Sequence, residues 1–250
     1  MSPPPIQKLA AARWSRSGRP PLLPHLESAA AVVLKGLVPP ERCQVWTRAV
    51  YKARSDWVAD FEGHQSSLGR AFYTHYETGR SALYFGDAAR SDALVERHLP
   101  GMQSFVRESL GHLVGGAVRP RLGFCGPGVH VFPAAGEVAR EGGVVHFDVE
   151  GLSPHQLARH HRAVTLVIML QPPTRGGGLR IWDTLYQGSE TPSPEQLAAP
   201  HRTVRYRPGD ALFSDSLRLH QIRPFQGPLD RISITVHAVE VDRDVWDAWF

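Results

Sequence analysis

The sequence predicts a mainly β protein of one domain, in which helices come first and a jelly-roll-like β core follows. A length of 250 residues suits one large β-rich domain. From about residue 118 onwards, short apolar stretches alternate with Gly, Pro and Asp turns, which is the pattern of a sandwich or barrel. Before that point, two segments carry helix start and stop signals instead.

The N-terminal residues 1–27 are expected to form a flexible arm. They hold six prolines and four basic residues before the first acid, Glu27. An Arg- and Ser-rich start also fits a transit peptide, but the prolines argue against the amphipathic helix that such a peptide forms. Residues 28–250 are then expected to be the single domain, with helical support over about 28–117 and the β core over about 118–240.

The helical part is predicted from its breaks. Residues 30–37, AAVVLKGL, suit a strand, and after the Pro-Pro turn a helix should begin near Pro40. A second helix is predicted across 91–113, interrupted at Pro100-Gly101.

The β core should contain seven or eight strands. Between the second and third apolar stretches, Ser153, Pro154 and Gln156 fit the first positions of a capping box, which predicts a short helix or lid. The apolar stretches are 121–132, 142–149, 162–173, 176–186, 203–215, 219–225 and 231–241.

Composition excludes several classes of protein. Hydrophobic residues make up 42% and charged residues 21%, as in soluble globular proteins, and no apolar run approaches the roughly 20 residues of a membrane span. The net charge of +4 is spread over single arginines, which gives little support to nucleic-acid binding. Two isolated cysteines, Cys43 and Cys125, suggest a reducing, cytoplasmic setting, although one buried pair remains possible.

The stretch GGVVHFDVEG, residues 142–151, points to a site. In a strand, His146 and Asp148 would face one side and Phe147 the other. A carboxylate that faces inward is costly unless it is paired or bound to a metal. A lone HxD is nevertheless weak support for a metal, because His–Asp pairs often only hydrogen-bond.

Two downstream features strengthen the metal hypothesis. His220 begins a strand, and the last strand, RISITVH, places Arg231, Ser233, Thr235 and His237 on one face and aliphatic residues on the other. An edge strand with its polar face in water would show the same pattern. An arginine beside a serine, however, also suits bidentate binding of a carboxylate.

Two histidines and one carboxylate on one side of a metal form the facial arrangement of non-haem Fe(II) oxygenases. With HFD at 146–148, His220 and Arg231-Ile232-Ser233, the chain resembles the Fe(II)/2-oxoglutarate-dependent dioxygenases, whose signature is HxD…H…RxS. The flanking segments GGGLRIWD and RPGDALFSDSLRLHQIRPF are similar to that family as well. The resemblance covers about residues 118–240 and is closest to the branch that acts on small molecules, which includes aliphatic halogenases and hydroxylases.

The resemblance implies a double-stranded β-helix, or jelly roll. It implies that His146, Asp148 and His220 hold Fe(II), and that Arg231 and Ser233 bind the far carboxylate of 2-oxoglutarate. With O2, the co-substrate would be decarboxylated to succinate and CO2 while a substrate C–H bond is oxidised. In the related halogenases a glycine or alanine stands at the carboxylate position, so Asp148 favours hydroxylation, desaturation or ring closure over halogenation.

Substrate contacts are weaker hypotheses. His130 and Trp182 lie on strands beside the site, although satisfied core positions are the commoner explanation for such residues. Tyr76 and Tyr84, with Phe72 and Tyr73, would roof it. The small size favours a free small molecule, such as an amino acid or specialised metabolite, over a protein or nucleic acid. No membrane partner is expected, and the oligomeric state stays open. The alternatives are a non-catalytic jelly-roll metal-binding or sensor protein and an iron oxygenase that does not use 2-oxoglutarate.

Overall fold

The structure is a computed structural model that describes residues 4–250, and it consists of two facing β-sheets with helices on the outer side of the larger one. The strands of the described residues are β1 (Ile6–Ala10), β2 (Ala31–Lys35), β3 (Val58–Asp60), β4 (Gln65–Leu68), β5 (Ala117–Pro120), β6 (Gly128–Phe132), β7 (Ala163–Gln171), β8 (Arg175–Gly176), β9 (Leu179–Leu185), β10 (His201–Val204), β11 (Ala211–Asp215), β12 (Arg218–Ile222), β13 (Phe225–Gln226), β14 (Arg231–Asp242) and β15 (Val245–Trp249).

The longer helices lie in the first half of the chain. The α-helices are α1 (Ala11–Arg16), α2 (Pro40–Lys52), α3 (Phe72–Glu77), α4 (Ser81–His98), α5 (Met102–Val114), α6 (Glu137–Glu141), α7 (Pro154–Ala158) and α8 (Pro194–Ala198). Short 3-10 helices span Leu23–Glu27, Arg54–Asp56 and Phe61–Gly63. The helix predicted from Pro40 is α2, and the Pro100-Gly101 break separates α4 from α5. The capping box at Ser153 and Gln156 is present and starts α7. None of the helices in the described range is long and apolar enough to cross a membrane.

The larger sheet runs in the order β1-β2-β11-β7-β14-β6-β4-β3, and β15 joins the far part of β14 to β5. Its centre is antiparallel, with β14 between β7 and β6. The smaller sheet has the order β10-β9-β12, and β8 pairs with β13. This sandwich is consistent with the jelly-roll fold predicted from the sequence, but the chain is not mainly β, because its helices hold about as many residues as its strands.

Alternation along the central strands sends their side chains to two different cores. The outward residues of β7 and β14, such as Leu166 and Ile234, join the main apolar core with residues of α2, α4 and α5. On the inner side, Leu212 of β11 packs against Leu179 and Ile181 of β9, and this second core holds the two sheets together.

The N-terminal segment differs from the flexible arm that the sequence predicts. Strand β1 pairs in parallel with β2, and Trp14 and Leu22 are buried in the main core. The indole nitrogen of Trp14 donates to the carbonyl of Pro20 at 2.8 Å. The prolines therefore break the segment into short packed pieces, and the prediction of an arm is wrong for residues 6–27. Residues 1–3 of the predicted arm lie outside the described residues.

The HFD segment also departs from the predicted strand. Residues 142–149 are extended but form only one isolated bridge, between His146 and His220. The alternation nevertheless holds, because Phe147 and Val149 enter an apolar cluster while His146 and Asp148 face the other way. This single bridge places the segment beside β12, next to the smaller sheet.

Candidate metal centre

The structure brings His146, Asp148 and His220 together. One ligand atom from each side chain lies within 4.8 Å of the others. The backbone holds them there: the amide of His146 donates to the carbonyl of His220 at 3.1 Å, and the amide of His220 donates back at 3.0 Å. The amide of Asp148 donates to the carbonyl of Ser216 at 2.9 Å. These main-chain hydrogen bonds hold the backbone of the HFD segment beside residues 216–220 and so fix where the three side chains begin.

Both histidines present the same ring nitrogen to the centre. The Nδ1 atoms of His146 and His220 lie 2.9 Å from the carbonyl oxygens of Val144 and Arg218. A carbonyl oxygen only accepts, so each Nδ1 carries the hydrogen and donates. Nε2 of each ring therefore faces the centre, and in the neutral ring its lone pair can bind a metal, which is the orientation that backbone carbonyls impose on metal-binding histidines.

The carboxylate lies between the two rings. Oδ1 of Asp148 is 3.4 Å from Nε2 of His146 and 3.4 Å from Nε2 of His220. Two ligand atoms that bind one ion at right angles, each at about 2.1 Å, are separated by about 3.0 Å. The three groups therefore fit one ion at adjacent positions, and their nitrogen and oxygen atoms suit a first-row transition metal such as Fe(II).

The charges of the metal-free centre follow from the same contacts. Burial favours a raised pKa for Asp148, but the positive charges of His220 and His237 and hydrogen bonds from the two ligand histidines hold its pKa well below the ordinary value. For His146, burial lowers the pKa, while the hydrogen bond and charge of Asp148 outweigh it and raise the pKa to about 9. The carboxylate is thus ionised and ready to bind a cation.

Arg231 forms a second polar site on the inner face of the larger sheet. Its side chain is 2% exposed, Nη1 donates to Oγ of Ser233 at 3.2 Å, and Nε donates to the carbonyl of Gly177 at 3.2 Å. Gly177 has a φ of +66°, and a Cβ there would lie 2.4 Å from the ring of Pro173, so glycine is required to place this carbonyl. No carboxylate of the described residues pairs with Arg231.

Tyr206 lies beside this arginine and was not predicted from the sequence. The Arg231 guanidinium carbon is 5.9 Å from the centre of the Tyr206 ring. The Tyr206 hydroxyl is buried and has no partner at hydrogen-bond geometry within the described chain, but it lies close enough to the Arg231 guanidinium for each group to affect the pKa of the other. Burial raises the pKa of Tyr206 to about 12, so the hydroxyl keeps its proton and can donate it. The sequence signal for Tyr206 is its position just before the RPGD turn, in a flank that resembles the dioxygenase family.

Among the four candidate substrate residues, His130 lies nearest the two polar sites. It is 6% exposed and pairs with Ser233 across β6 and β14, so it shares the inner face with Arg231. Its Nδ1 is buried without a partner among the described residues. Burial, together with the positive charges of His237 and Arg231, lowers the pKa of His130 to about 3. The ring therefore stays neutral and one nitrogen is available to a ligand.

The other three candidates are not brought to the ligands. Trp182 packs with Phe147 on the opposite side of the HFD segment, and its indole donates to the carbonyl of Leu197 at 3.0 Å. Tyr84 is fully buried, and its hydroxyl joins the carbonyl of Phe250 to the amide of Cys125, each at 2.9 Å. Tyr76 is 54% exposed and stacks on Phe72. The predicted role of Trp182 and Tyr84 in substrate binding is corrected, because packing and satisfied hydrogen bonds explain both. Of the predicted roof, Tyr73 alone touches this face, through the ring of His130 at 5.6 Å.

Sequence reasoning also missed the residues around Asp148. Thr165 donates a hydrogen bond to its second oxygen, and Ser216 and His237 each lie within hydrogen-bonding distance of the Thr165 hydroxyl. Thr165 interrupts the apolar run AVTLVIML, and His237 shares the polar face of β14, so both carried a signal. Glu150 is also present on this side; burial raises its pKa to about 7, an effect that His146 partly offsets.

The fold and site together define a two-sheet β-sandwich with a His-Asp-His centre between its sheets. No protein-family model matches the chain, and no curated protein matches it in sequence. Solved structures do match: one is the non-haem alpha-ketoglutarate-dependent epimerase SnoN from nogalamycin biosynthesis, with 16% identity over 92% of this chain and 83% of that chain and a TM-score of 0.52. Another is SnoN in complex with Fe3+, alpha-ketoglutarate and nogalamycin RO, with 15% identity over 92% and 84% and a TM-score of 0.49. The first likeness shows that the chain shares the fold of that enzyme.

Proposed function

We propose that this chain is an Fe(II)- and 2-oxoglutarate-dependent oxygenase that oxidises a C–H bond of a small molecule. His146, Asp148 and His220 would hold the iron. Arg231 and Ser233 would bind the far carboxylate of 2-oxoglutarate. The fold shared with an alpha-ketoglutarate-dependent enzyme supports the proposal.

The observation that carries the proposal is the burial of Arg231 without an acid. An isolated charge costs several kcal/mol when it leaves water, and proteins therefore pair buried arginines with carboxylates. Arg231 instead contacts one hydroxyl and one carbonyl. A dicarboxylate co-substrate would supply the missing charge, and the unpartnered hydroxyl of Tyr206 would donate to the same carboxylate.

Iron supplies the oxidative chemistry once co-substrate and O2 are present. The protein positions the reactants. Arg231 and Ser233 would hold one end of the 2-oxo acid, which would leave its other end free to bind the metal. The buried inner face, which includes Phe132 and His130, excludes water from this space.

Asp148 governs the expected outcome of the reaction. Its carboxylate occupies the position that halogenases of the resembled family leave open for chloride. Hydroxylation is therefore the proposed outcome, with desaturation or ring closure as related outcomes. A chlorinated product from the unaltered chain would contradict this argument.

The substrate is proposed to be a small molecule, such as an amino acid or specialised metabolite. His130 has an unpartnered nitrogen between the Arg231 site and Tyr73, and it is the residue best placed to contact that substrate. Residues 28–250 are proposed to form the catalytic domain, to which the packed segment 6–27 adds a strand and part of the core. Two buried free cysteines support a cytoplasmic location.

The test is to load the protein anaerobically with Fe(II), add 2-oxoglutarate, and record the visible absorption band of the chelate. Exposure to O2 with pools of amino acids and metabolites should then give iron-dependent succinate that rises with one pool. His220→Ala should lose the band and the succinate together, because one of three ligands is removed.

The outcomes separate the alternatives. A metal-binding sensor would bind iron in the wild type but show no band on addition of 2-oxoglutarate. An iron oxygenase of another type would oxidise a substrate without forming succinate. Full activity in His220→Ala would show that the three residues do not form the centre.

A further inference from the structure

The two oxygens of Asp148 have different partners. Oδ1 faces Nε2 of both ligand histidines at 3.4 Å. Oδ2 turns away from them and accepts a hydrogen bond from the hydroxyl of Thr165 at 2.7 Å. The carboxylate is therefore held in one orientation by a residue that lies outside the proposed ligand set.

The hydrogen bonds around Thr165 have only one consistent direction. Its Oγ1 lies 2.8 Å from Oγ of Ser216 and 3.0 Å from Nδ1 of His237. A hydroxyl has one hydrogen, and the ionised carboxylate can only accept. Thr165 thus donates to Asp148, while Ser216 and the Nδ1–H of His237 donate to Thr165. A hydrogen bond to an ionised acceptor is stronger than one between neutral groups, and the two incoming bonds polarise the hydroxyl further.

Thr165 is well supported for this task. It is 4% exposed and lies in β7, where it pairs with Ser214 of β11 on one side and His237 of β14 on the other. A β-branched side chain also has few rotamers, so the direction of its hydroxyl is restricted. The donor therefore stands on the central part of the larger sheet, opposite the HFD segment, which has only one bridge.

We propose that Thr165 is a positioning residue that makes Asp148 bind the metal through Oδ1 alone, with Ser216 and His237 orienting the Thr165 hydroxyl. The inference rests on the metal centre of the proposed function. A carboxylate that bound through both oxygens would occupy one more position on the ion. If Asp148 binds through one oxygen, it occupies a single position on the metal, and the remaining positions stay open for co-substrate and O2.

The experiment compares three variants in the metal-free, full-length protein. Thr165→Val keeps the shape of the side chain and removes the hydroxyl, whereas Thr165→Ser keeps the hydroxyl. Thr74→Val makes the same chemical change at a buried position in α3, where the hydroxyl donates to the carbonyl of Ala71 and does not contact Asp148. Anaerobic titration with Co(II) gives the dissociation constant, and the visible spectrum of the bound Co(II) reports its coordination.

Thr165→Val should weaken Co(II) binding by about 10- to 100-fold, the usual effect of removing an outer partner of a metal ligand. Its Co(II) spectrum should change as well, because Oδ2 becomes free to bind. Thr165→Ser should stay within about threefold of the wild type, because it keeps the hydroxyl, and Thr74→Val should match the wild type in both measurements. A merely structural role for Thr165 would lower the melting temperature without altering the spectrum of bound Co(II).

Wild-type affinity and spectrum in Thr165→Val would overturn the inference while leaving the metal centre intact. The same loss in Thr165→Ser as in Thr165→Val would also overturn it, because the hydroxyl would then not be the cause. If Thr165→Val does not fold, Thr165→Ala replaces it and is compared with Thr165→Ser in the same way. A wild-type protein that binds no Co(II), or an Asp148→Ala variant that binds it as tightly, would overturn the proposed function itself.

Discussion

Replacement of Arg231 tests the proposed co-substrate most directly. The guanidinium is buried, and Arg231→Ala would leave the far carboxylate of 2-oxoglutarate in a desolvated site without its counter-charge. Loss of one partner from a buried charged pair costs about 2–5 kcal/mol. At about 1.4 kcal/mol for each factor of ten, the dissociation constant of 2-oxoglutarate should rise from about 30-fold to several thousandfold. Arg231→Lys should fall between, because lysine keeps the charge but loses the fork that reaches Ser233 and Gly177.

The assay is an anaerobic titration of the iron-loaded protein, followed by the visible band of the chelate. The control ligand is 2-oxovalerate, which has a methyl group in place of the far carboxylate, so its weaker binding should change little in Arg231→Ala. The control variant is Arg175→Gln, which removes an exposed positive charge from β8, two residues before Gly177. An unchanged 2-oxoglutarate affinity in Arg231→Ala, with iron still bound, would refute the assignment. An equal loss for both ligands would show that Arg231 supports the structure and does not recognise the carboxylate.

Three further predictions concern stability and reactivity. The pKa of His130 is about 3 in the folded protein and about 6.5 when unfolded, so the unfolded state takes up more protons below pH 6.5. The free energy of unfolding should therefore fall by up to about 1.4 kcal/mol per pH unit as the pH is lowered to about 5. Urea unfolding should show a weaker dependence of this free energy on pH in His130→Gln but not in the exposed His155→Gln. Burial raises the pKa of both Cys43 and Cys125 to about 11, so only about one thiol in a thousand is ionised at pH 8. A disulfide reagent should therefore label neither cysteine in the native protein and both in urea. Rapid labelling of the native protein would contradict their burial. Gly209 has a φ of +83°, and a Cβ there would lie 1.9 Å from the carbonyl oxygen of Val38, so Gly209→Ala should lower the free energy of unfolding in urea by at least about 2 kcal/mol. Gly36 has a φ of +68° with open space around it, so Gly36→Ala should lower it by only about 1 kcal/mol. Equal losses would show that the close contact at Gly209 has no effect.

The grouping of the candidate site residues was predictable where their chemistry is local in the sequence. His146 and Asp148 are two residues apart and must share a side wherever the chain is extended, even though the segment forms one bridge and not a strand. Arg231 and Ser233 are related in the same way, and the structure joins them by a hydrogen bond. The capping box at Ser153 was equally local, and it starts a helix as expected.

The residues that were missed depend on strand register, which a single sequence does not reveal. Thr165 meets His237 because β7 and β14 pair at that position, although 72 residues separate them in the chain. Tyr206 reaches Arg231 from the segment between β10 and β11. The N-terminal segment shows the same limit: its prolines suggested an arm, but the pairing of β1 with β2 and the burial of Trp14 come from tertiary contacts that outweigh local propensity.

Strand β14 decides between the two explanations of its polar face. Its alternation would also suit an edge strand with that face in water, but β14 lies between β7 and β6, and its polar residues Arg231, Ser233 and Thr235 are at most 6% exposed. Three polar side chains in the interior of a sandwich reduce stability unless each is satisfied, and aliphatic residues of the same size would pack there without that cost. The opposite face of the same strand shows such packing, with Ile232, Ile234 and Val236 fully buried against the helices. The polar inner face therefore fits the proposed binding of an anion, because an anion would supply the counter-charge that Arg231 lacks among the described residues.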